Sequence, residues 1–261
     1  MNERKKILIS GASVSGPALA FWLNKSGHSV TVIERSKTFR TGGQNVDIEG
    51  PAQEVIKLMG LEEKINEKNT REKGVEFMGD GDKTVARLPK GAVGSLTTTY
   101  EILRGDLAHI LYDETKDDCD YRLGTFITAL NQRDDDVCVT FNDGSTEKFD
   151  LVVSAEGVGS STRQLVMEDD IGFRYLGVYA GYFRIPRSPE DKDWAQIHHG
   201  KGGCFMLLRP VHDNDTTVLV TFLRKKFDAR DTDGVAQRKM LSDALRGAGG
   251  AAARILANLD H

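Results

Sequence analysis

The sequence predicts an α/β fold in which a domain with a mainly parallel sheet is interleaved with a domain built on an antiparallel β-sheet. Three observations lead to this prediction. A strand-helix-strand pattern fills residues 6–34, strands and helices then alternate, and longer strands dominate residues 173–224. Because no long linker separates these regions, we expect residues 1–72 and 100–172 to form one discontinuous domain, and residues 73–99 and 173–261 the other.

The N-terminal elements form a crossover unit. Residues 6–10 are a short apolar run that indicates a strand and leads into a Gly-rich turn. Pro17 to Asn24 carry apolar side chains at helical spacing, and Ser29 to Glu34 form the next apolar run. Two strands and a helix within about 30 residues are typical of a parallel βαβ unit. Such a unit binds its ligand at the carboxyl end of the first strand.

The middle of the chain alternates helices with short strands. Helical spacing predicts helices over Pro51 to Met59 and over Glu101 to Thr115. Between them, residues 75–88 indicate a hairpin that turns at Gly79-Asp80-Gly81. Three further strands are expected between Phe126 and Val153, separated by acidic turns.

The C-terminal part is rich in longer strands. We expect antiparallel strands at Tyr175–Ile185, Ala195–His199, Gly203–Arg209 and Thr216–Leu223. A helix over Val235 to Leu245 and a short helix ending at Leu259 complete the prediction.

Composition excludes several classes of function. With 35 basic and 39 acidic side chains, the 261-residue chain has a formal net charge of −4 and no positive field to attract nucleic acid. Cys119, Cys138 and Cys204 are scattered, which disfavours a disulfide framework or a metal site and is typical of a reducing, cytoplasmic compartment. No apolar run is long enough for a signal-peptide core or a membrane span. We expect a monomer or a weak homo-oligomer.

The turn after the first strand reads Gly11-Ala12-Ser13-Val14-Ser15-Gly16. It follows the G-x-G-x-x-G pattern of a Rossmann-like dinucleotide fingerprint, with Ser13 in place of the middle glycine. Gly11 would permit the tight turn and Gly16 the close packing of helix and strand, while the amides of the helix start would hold a pyrophosphate. Glu34 lies 18 residues after Gly16, where a carboxylate can accept hydrogen bonds from ribose hydroxyls.

Two other Gly-rich motifs fit this turn less well. A Walker A loop needs Lys and Ser or Thr after its last glycine, where Pro17-Ala18 stand here. A short-chain dehydrogenase turn would place glycines at Ser15 and Pro17, so we regard the Y-x-x-x-K spelled by residues 112–116 as a coincidence. A plain strand-to-helix turn without a ligand is the remaining alternative.

Three separated stretches carry a family resemblance: Ile7 to Arg35, Arg40 to Gly50, and Asp150 to Arg163. Together they resemble the class A flavin monooxygenases, the para-hydroxybenzoate hydroxylase superfamily, and within it the tetracycline-inactivating branch. The third stretch is similar to that family's Gly-Ala-Asp-Gly motif, with Ser154 replacing the glycine and Glu156 the aspartate.

The resemblance implies a set of cofactor-contacting residues. Glu34 would bind the adenosine ribose, and Arg35 would lie near the adenine. Asp47 would contact the flavin, and Arg104 would reach the cofactor from the helix that follows. Arg40 corresponds to a residue that contributes to NADPH use in similar enzymes; for both Arg40 and Arg104, an ordinary surface arginine is the alternative. The whole set is Gly11, Ala12, Ser13, Ser15, Gly16, Glu34, Arg35, Arg40, Asp47, Arg104 and Glu156.

The resemblance also implies an FAD-dependent hydroxylase in which no catalytic side chain and no metal ligand is identified. NADPH or NADH would reduce FAD, and the reduced flavin with O2 would hydroxylate a small organic substrate, aromatic or polycyclic. The strands after residue 173 would form a roof over the substrate, and the candidates for its lining, or for ordinary core, are Phe183, His198, Phe205, Met206 and Phe222.

The family's C-terminal Gly-Asp motif has no counterpart in this sequence, which stops at Asp260-His261. One alternative is therefore a truncated or degenerate nucleotide-binding protein without hydroxylase activity. Another is a pyridine-nucleotide dehydrogenase, which would bind NAD(P) without a yellow flavin.

Overall fold

The computed structural model describes residues 3–39, 43–167, 172, 174–189, 191–211, 215–225 and 233–259. The chain divides into two compact units. The first contains Met1–Gly42 and Arg104–Phe173, and the second contains Gly43–Leu103 and Arg174–His261. By compactness, residues 43–72 and 100–103 therefore group with the second unit, whereas the sequence prediction assigned them to the first domain.

The described strands, in chain order, are β1 (Lys6–Ser10), β2 (Ser29–Glu34), β3 (Asn45–Ile48), β4 (Gly74–Met78), β5 (Thr84–Pro89), β6 (Tyr100–Leu103), β7 (Asp120–Leu123), β8 (Ile127–Gln132), β9 (Val137–Phe141), β10 (Thr146–Phe149), β11 (Leu151–Ser154), β12 (Val178–Pro186), β13 (Ala195–His199), β14 (Phe205–Pro210) and β15 (Asp215–Leu223). The described α-helices are α1 (Ser15–Lys25), α2 (Pro51–Met59), α3 (Glu62–Glu67), α4 (Arg104–Asp113), α5 (Ser161–Val166), α6 (Gly234–Leu245) and α7 (Ala252–Ala257).

The first unit contains a parallel sheet with the strand order β11-β1-β2-β7, which confirms the predicted parallel α/β core. Its central strands are apolar on both faces, as a covered parallel sheet requires. Ile7 and Ile9 pack against α1 on one face. Leu8 and Ile33 pack on the other face against the antiparallel sheet β10-β9-β8. The turn between β1 and α1 therefore leaves the middle of the sheet at its carboxyl edge.

The second unit is built on a six-stranded sheet with the order β12-β15-β14-β13-β4-β5. Neighbouring strands are antiparallel except for β13 and β4, which are parallel. Helices α6 and α7 cover one face, where Leu245 and Ile255 pack with Met206 and Leu208 of β14. A separate antiparallel ribbon pairs β3 with β6. The predicted β-rich region is thus confirmed as a mixed, largely antiparallel sheet.

Some element boundaries differ from the prediction. The helix expected from Glu101 begins at Arg104, because the residues before it pair with β3 as strand β6. The strand expected to end at Val153 is two strands, since β10 pairs with β9 whereas β11 pairs with β1. Asp150 separates them, and its amide donates to the Lys6 carbonyl at 2.8 Å. Elements β3, β7, α3 and α5 have only four to six residues, too few for a distinctive hydrophobic period.

Candidate functional site

The turn between β1 and α1 requires glycine at both ends. Gly11 has a φ of +114°, and a Cβ on it would lie 2.5 Å from the Ala155 carbonyl oxygen. Its amide donates to the Ile33 carbonyl at 2.8 Å, which ties the turn to β2. A Cβ on Gly16 would lie 1.9 Å from the Gly11 carbonyl oxygen. Any side chain at either position would displace the turn, so its shape depends on these two residues.

Helix α1 begins without a side-chain cap. Its N-cap residue is Val14, which has no polar side-chain atom, and the helix is 11 residues long. The first amides of a helix lack intrahelical acceptors and carry a partial positive charge. Ser15, the first residue of the helix, is exposed. This end of α1 is therefore suited to an anionic group such as a phosphate.

Glu34 ends β2 and turns its carboxylate back to the same turn. Oε2 accepts from the Ala12 amide at 3.1 Å, and Oε1 accepts from the Ser36 amide at 2.9 Å. The side chain is half-buried, and the neighbouring Arg35 is exposed. Each carboxylate oxygen has further lone pairs beyond the one that its amide uses. Glu34 is thus fixed in place while it keeps the capacity to accept hydrogen bonds from a ligand.

Ser13 holds an arginine beside the turn. The Arg104 Nε donates to Ser13 Oγ at 3.1 Å, across 91 residues of sequence. Arg104 is the first residue of α4 and is exposed. Serine in place of the fingerprint's middle glycine is therefore an anchor for the guanidinium. The positive charge of Arg104 adds to that of the uncapped helix start.

Glu156 follows β11, and four hydrogen bonds reach its carboxylate. Oε1 accepts from the hydroxyls of Ser10 and Thr162, and Oε2 accepts from Ser160 Oγ at 2.7 Å and from the Thr162 amide at 3.0 Å. Burial opposes the negative charge, but the hydrogen bonds from Ser10, Thr162 and Ser160 outweigh it and hold the pKa of Glu156 below its ordinary value. With all these donors, Glu156 joins the end of β1 to the start of α5.

Ser10, Ser160 and Thr162 are functional candidates that the fingerprint did not identify. Ser160 is also the N-cap of α5, since its Oγ accepts from the Arg163 amide at 3.0 Å. The sequence does hold a signal for it, because Ser160-Ser161-Thr162 is rich in the hydroxyl residues that begin helices. No local sequence pattern indicates that these hydroxyls share one acceptor, Glu156.

Within the first unit, the structure brings seven residues of the predicted set together at the turn. The residues it places there are Gly11, Ala12, Ser13, Ser15, Gly16, Glu34 and Arg104. Asp47 belongs to the second unit, where it lies exposed on β3 and its Oδ1 accepts from Thr98 Oγ1 at 3.0 Å. Arg40 lies outside the described residues.

Most of the candidates for the substrate roof belong to the core of the six-stranded sheet, the alternative that the sequence left open. Phe183, Met206 and Phe222 belong to the core beneath α6 and α7. His198 pairs with Met206, and a Cβ on Gly250 would lie 2.8 Å from its Nδ1. Burial lowers the pKa of His198, while the charge of Asp82 works in the opposite direction. Phe205 packs instead with the cluster on the other face. The alternation of side chains along a strand is visible in the sequence, but which face helices cover is not.

Two features are absent from the described part of the chain: a cluster of metal ligands and a membrane-spanning helix. Within it, no group of His, Cys, Asp and Glu side chains is placed to hold a metal ion. The same residues include no helix that combines the length and the apolar character needed to cross a bilayer.

The sequence matches a known family over nearly its whole length. The model of the FAD binding domain family covers residues 4–253. The chain belongs to this family. The FAD-dependent monooxygenase asL4 of Sarocladium schorii is 36% identical over 214 residues, which are 78% of this chain and 50% of that protein. The flavin-dependent monooxygenase eupH of Phoma sp is 36% identical over 239 residues, 87% of this chain and 55% of that protein. The chain thus spans about half the length of these relatives.

Solved structures share its fold. The tetracycline destructase Tet(55) superposes with a TM-score of 0.86 at 29% identity, covering 100% of this chain and 67% of that one. Klebsiella pneumoniae HpxO, complexed with FAD and uric acid, superposes with a TM-score of 0.76 at 20% identity over 98% of this chain and 65% of that one, which shows the fold alone. These matches confirm the resemblance to the class A flavin monooxygenases.

Proposed function

We propose that this chain binds FAD at the β1–α1 turn and belongs to an NAD(P)H-dependent monooxygenase that hydroxylates a small aromatic or polycyclic substrate. The observation that carries the proposal is the convergence of Glu34, Arg104 and the uncapped start of α1 on one Gly-rich turn. Family membership supports FAD as the nucleotide. The monooxygenases among the relatives support the reaction class.

The turn fits the pyrophosphate of a dinucleotide. Gly11 and Gly16 permit the tight turn from which α1 starts, because a Cβ on either would clash with a backbone carbonyl oxygen. The first amides of α1 supply unpaired donors, and Arg104 supplies a full positive charge that Ser13 holds in position. These groups would bind a negatively charged diphosphate far better than a neutral ligand.

Glu34 fits the ribose of the adenosine half. The Ala12 and Ser36 amides orient both carboxylate oxygens, and the remaining lone pairs can accept from the two ribose hydroxyls. A carboxylate here also disfavours a phosphate on that ribose, because the two negative charges would repel. We therefore assign the site to FAD rather than to NADPH. The nicotinamide nucleotide would be the reductant only, and Arg40 keeps its proposed part in NADPH use.

When bound, FAD supplies the redox chemistry, since it can accept a hydride from NAD(P)H and activate O2. The side chains of the first unit place and orient the nucleotide. Glu156 acts on this site through the backbone, because it fixes the end of β1, from which the turn starts, to α5. The name of Tet(55) as a tetracycline destructase supports a polycyclic substrate for the whole protein.

The test is whether the purified chain retains FAD. The chain is incubated with FAD and desalted, and the visible absorbance of the retained flavin is then measured. We expect the wild type to stay yellow and Glu34→Ala to weaken FAD binding by roughly 10- to 100-fold, the cost of losing hydrogen bonds to a charged group. Glu34→Gln should fall between them, because it keeps one acceptor oxygen. Asp134→Ala, in an exposed turn of the same unit, is the matched control and should bind FAD like the wild type.

Each result separates the alternatives. A colourless wild type that binds NAD(P) would favour the dehydrogenase, and one that binds no nucleotide would refute the FAD site. A yellow wild type whose affinity is unchanged by Glu34→Ala would refute the role of Glu34. A yellow protein that oxidises NADPH or NADH but releases only H2O2 would favour the flavin-binding protein without hydroxylase activity.

A further inference from the structure

A second set of charged side chains is buried in the second unit. Glu72 is 3% exposed, Glu101 is 0% exposed, and the side chain of Arg209 is 13% exposed. The Arg209 Nη1 lies 3.4 Å from Glu72 Oε2 and also contacts Glu101 Oε1. The Asn45 Nδ2 donates to Glu72 Oε1 at 3.3 Å and to Glu101 Oε1 at 3.1 Å. Two carboxylates thus share one guanidinium and one amide nitrogen.

The charges in this cluster do not balance if both glutamates are ionised. Arg209 from β14 neutralises one carboxylate, and Asn45 from β3 is neutral. Asp47, also on β3, adds a further negative charge nearby, and Lys90, which follows β5, contributes a weaker attraction. A buried, uncompensated carboxylate is strongly disfavoured, and such a group takes up a proton rather than remain charged.

The hydrogen bonds of the cluster show the same deficit. Among the described residues, four buried oxygens in or next to this cluster have no hydrogen-bond partner: Asn45 Oδ1, Thr70 Oγ1, Glu72 Oε2 and Glu101 Oε2. All but the Thr70 hydroxyl can only accept when the carboxylates are ionised. A proton on one carboxylate would cancel the excess charge and turn one of these acceptors into a donor. One added proton thus reduces both deficits.

We propose that Glu72 and Glu101 form a proton-binding site in which the two carboxylates hold one proton between them. In agreement with this geometry, burial raises the pKa of Glu72 to about 7, against the opposing effects of Arg209 and Asn45. The proton belongs to the pair, because two carboxylates that share one guanidinium and one amide nitrogen titrate together. The side chains that form the site all belong to the second unit.

Glu76 provides an internal control. It is as deeply buried, at 1% exposed, but it has an arginine to itself: the Arg87 Nη2 lies 2.6 Å and the Arg87 Nε 2.7 Å from its Oε1. Its charge is compensated one to one. Glu76 therefore differs from Glu72 and Glu101 in the number of carboxylates per arginine and not in burial.

The experiment is an infrared pH titration of the full chain, which follows the carbonyl stretch of protonated carboxylic acids between about pH 5 and pH 9. We expect the wild type to show one such band that persists well above the range of ordinary carboxylates and is lost near pH 7. Glu72→Gln and Glu101→Gln should each abolish this band, because the single remaining carboxylate is matched by Arg209. Glu76→Gln should leave the band unchanged.

Absence of the band from the wild type at every pH above the ordinary carboxylate range would overturn the proposal. So would a band that survives in both Glu72→Gln and Glu101→Gln, since the proton would then reside elsewhere. The wild-type titration needs no substitution, so it decides the first point even if a variant fails to fold.

Discussion

Glu156 in the first unit and Glu72 in the second are both carboxylates withdrawn from water, yet their pKa values move in opposite directions. The pKa of Glu156 is lowered although burial opposes this, because three hydroxyls and one amide donate to its two oxygens. Burial raises the pKa of Glu72 to about 7, and the charge of Asp47 adds to this effect, although Arg209 and Asn45 oppose it. Arg209 and Asn45 also contact Glu101.

The difference shows that burial alone does not set the charge of a carboxylate. What decides it is the number of donors per acceptor oxygen and of positive charges per negative charge. Glu156 has no cation among its hydrogen-bond donors and stays ionised through hydrogen bonds alone. Glu72 contacts a cation and still favours the proton, since that cation serves two carboxylates.

The largest effect is expected from Arg209→Met. It leaves Glu72 and Glu101 without a cation, and breaking a buried ion pair from one side costs about 3–5 kcal/mol. The free energy of unfolding can be followed in each unit separately, because Trp22 lies in the first unit and Trp194 in the second. Denaturant unfolding of Arg209→Met in a Trp22→Phe background should show the loss.

Arg184→Met is the matched control, because its partner Asp215 is 3.4 Å away and both side chains are more than 40% exposed (41% and 44%). An exposed pair contributes about 0.2–1 kcal/mol. If both substitutions lower the free energy of unfolding by the same amount, the two glutamates do not depend on Arg209. The explanation given for the raised pKa of Glu72 would then be wrong.

The pH dependence of stability should differ in sign between the two carboxylates. Glu72 has a raised pKa, so its contribution is complete below the ordinary value of 4.5 and is lost as the pH rises through about 7. The interval between these two values corresponds to on the order of 3 kcal/mol. Glu156 has a lowered pKa, so its contribution is present above the ordinary value of 4.5 and is lost as the pH falls further.

Unfolding measured from about pH 3 to pH 8 in the two single-tryptophan backgrounds checks both signs. Glu72→Gln should remove the decline of the second unit towards neutral pH and leave the first unit unchanged. Glu156→Gln should weaken the acid-induced loss in the first unit only. A common pH profile for both units, or for both variants, would contradict the conclusion that the number of hydrogen-bond donors and cations sets the direction of each pKa shift.

The sequence could predict the first unit better than the second. The turn from Gly11 to Gly16 and Glu34 lie within one local βαβ pattern, and their spacing follows from the geometry of a parallel crossover. The Arg104–Ser13 contact spans 91 residues, and only the family resemblance placed Arg104 near the cofactor. Distance along the chain thus limited what the pattern itself could reveal.

The proton-binding cluster could not be predicted from any pattern. Glu72, Glu101 and Arg209 come from separate elements, and each looks like an ordinary surface charge in the sequence. Glu101 in particular fell inside a predicted helix, whereas it is buried on β6. The choice between pocket lining and core for Phe183 and Phe222 could not be made from the sequence for a related reason, because strand alternation does not say that these residues pack beneath the helices. Tertiary packing decides which face of a sheet is buried, and the sequence of a single strand does not determine which elements pack against it.

The smallest effect is expected from Ser154→Ala, which tests how far the donor network of Glu156 extends. Ser154 Oγ lies 2.9 Å from Ser160 Oγ. The Ser160 hydroxyl already donates its proton to Glu156, so Ser154 must be the donor of this pair. Ser160 also accepts from the Arg163 amide, and that bond remains in the variant. Ser154→Ala should therefore lower the free energy of unfolding by only about 0.5–1 kcal/mol. The pH at which the first unit loses stability in acid should not change.

Ser160→Ala is the sharper counterpart, because it removes a hydroxyl that donates directly to Glu156. It should lower the free energy of unfolding by about 1–3 kcal/mol. The acid-induced loss of stability of the first unit should also begin at a higher pH, since the carboxylate loses one of its four donors. Equal shifts of this acid-induced loss in Ser154→Ala and Ser160→Ala would mean that the pKa of Glu156 responds to the polarity of the whole region. A shift in Ser160→Ala alone would tie it to the hydrogen bonds made directly to the carboxylate.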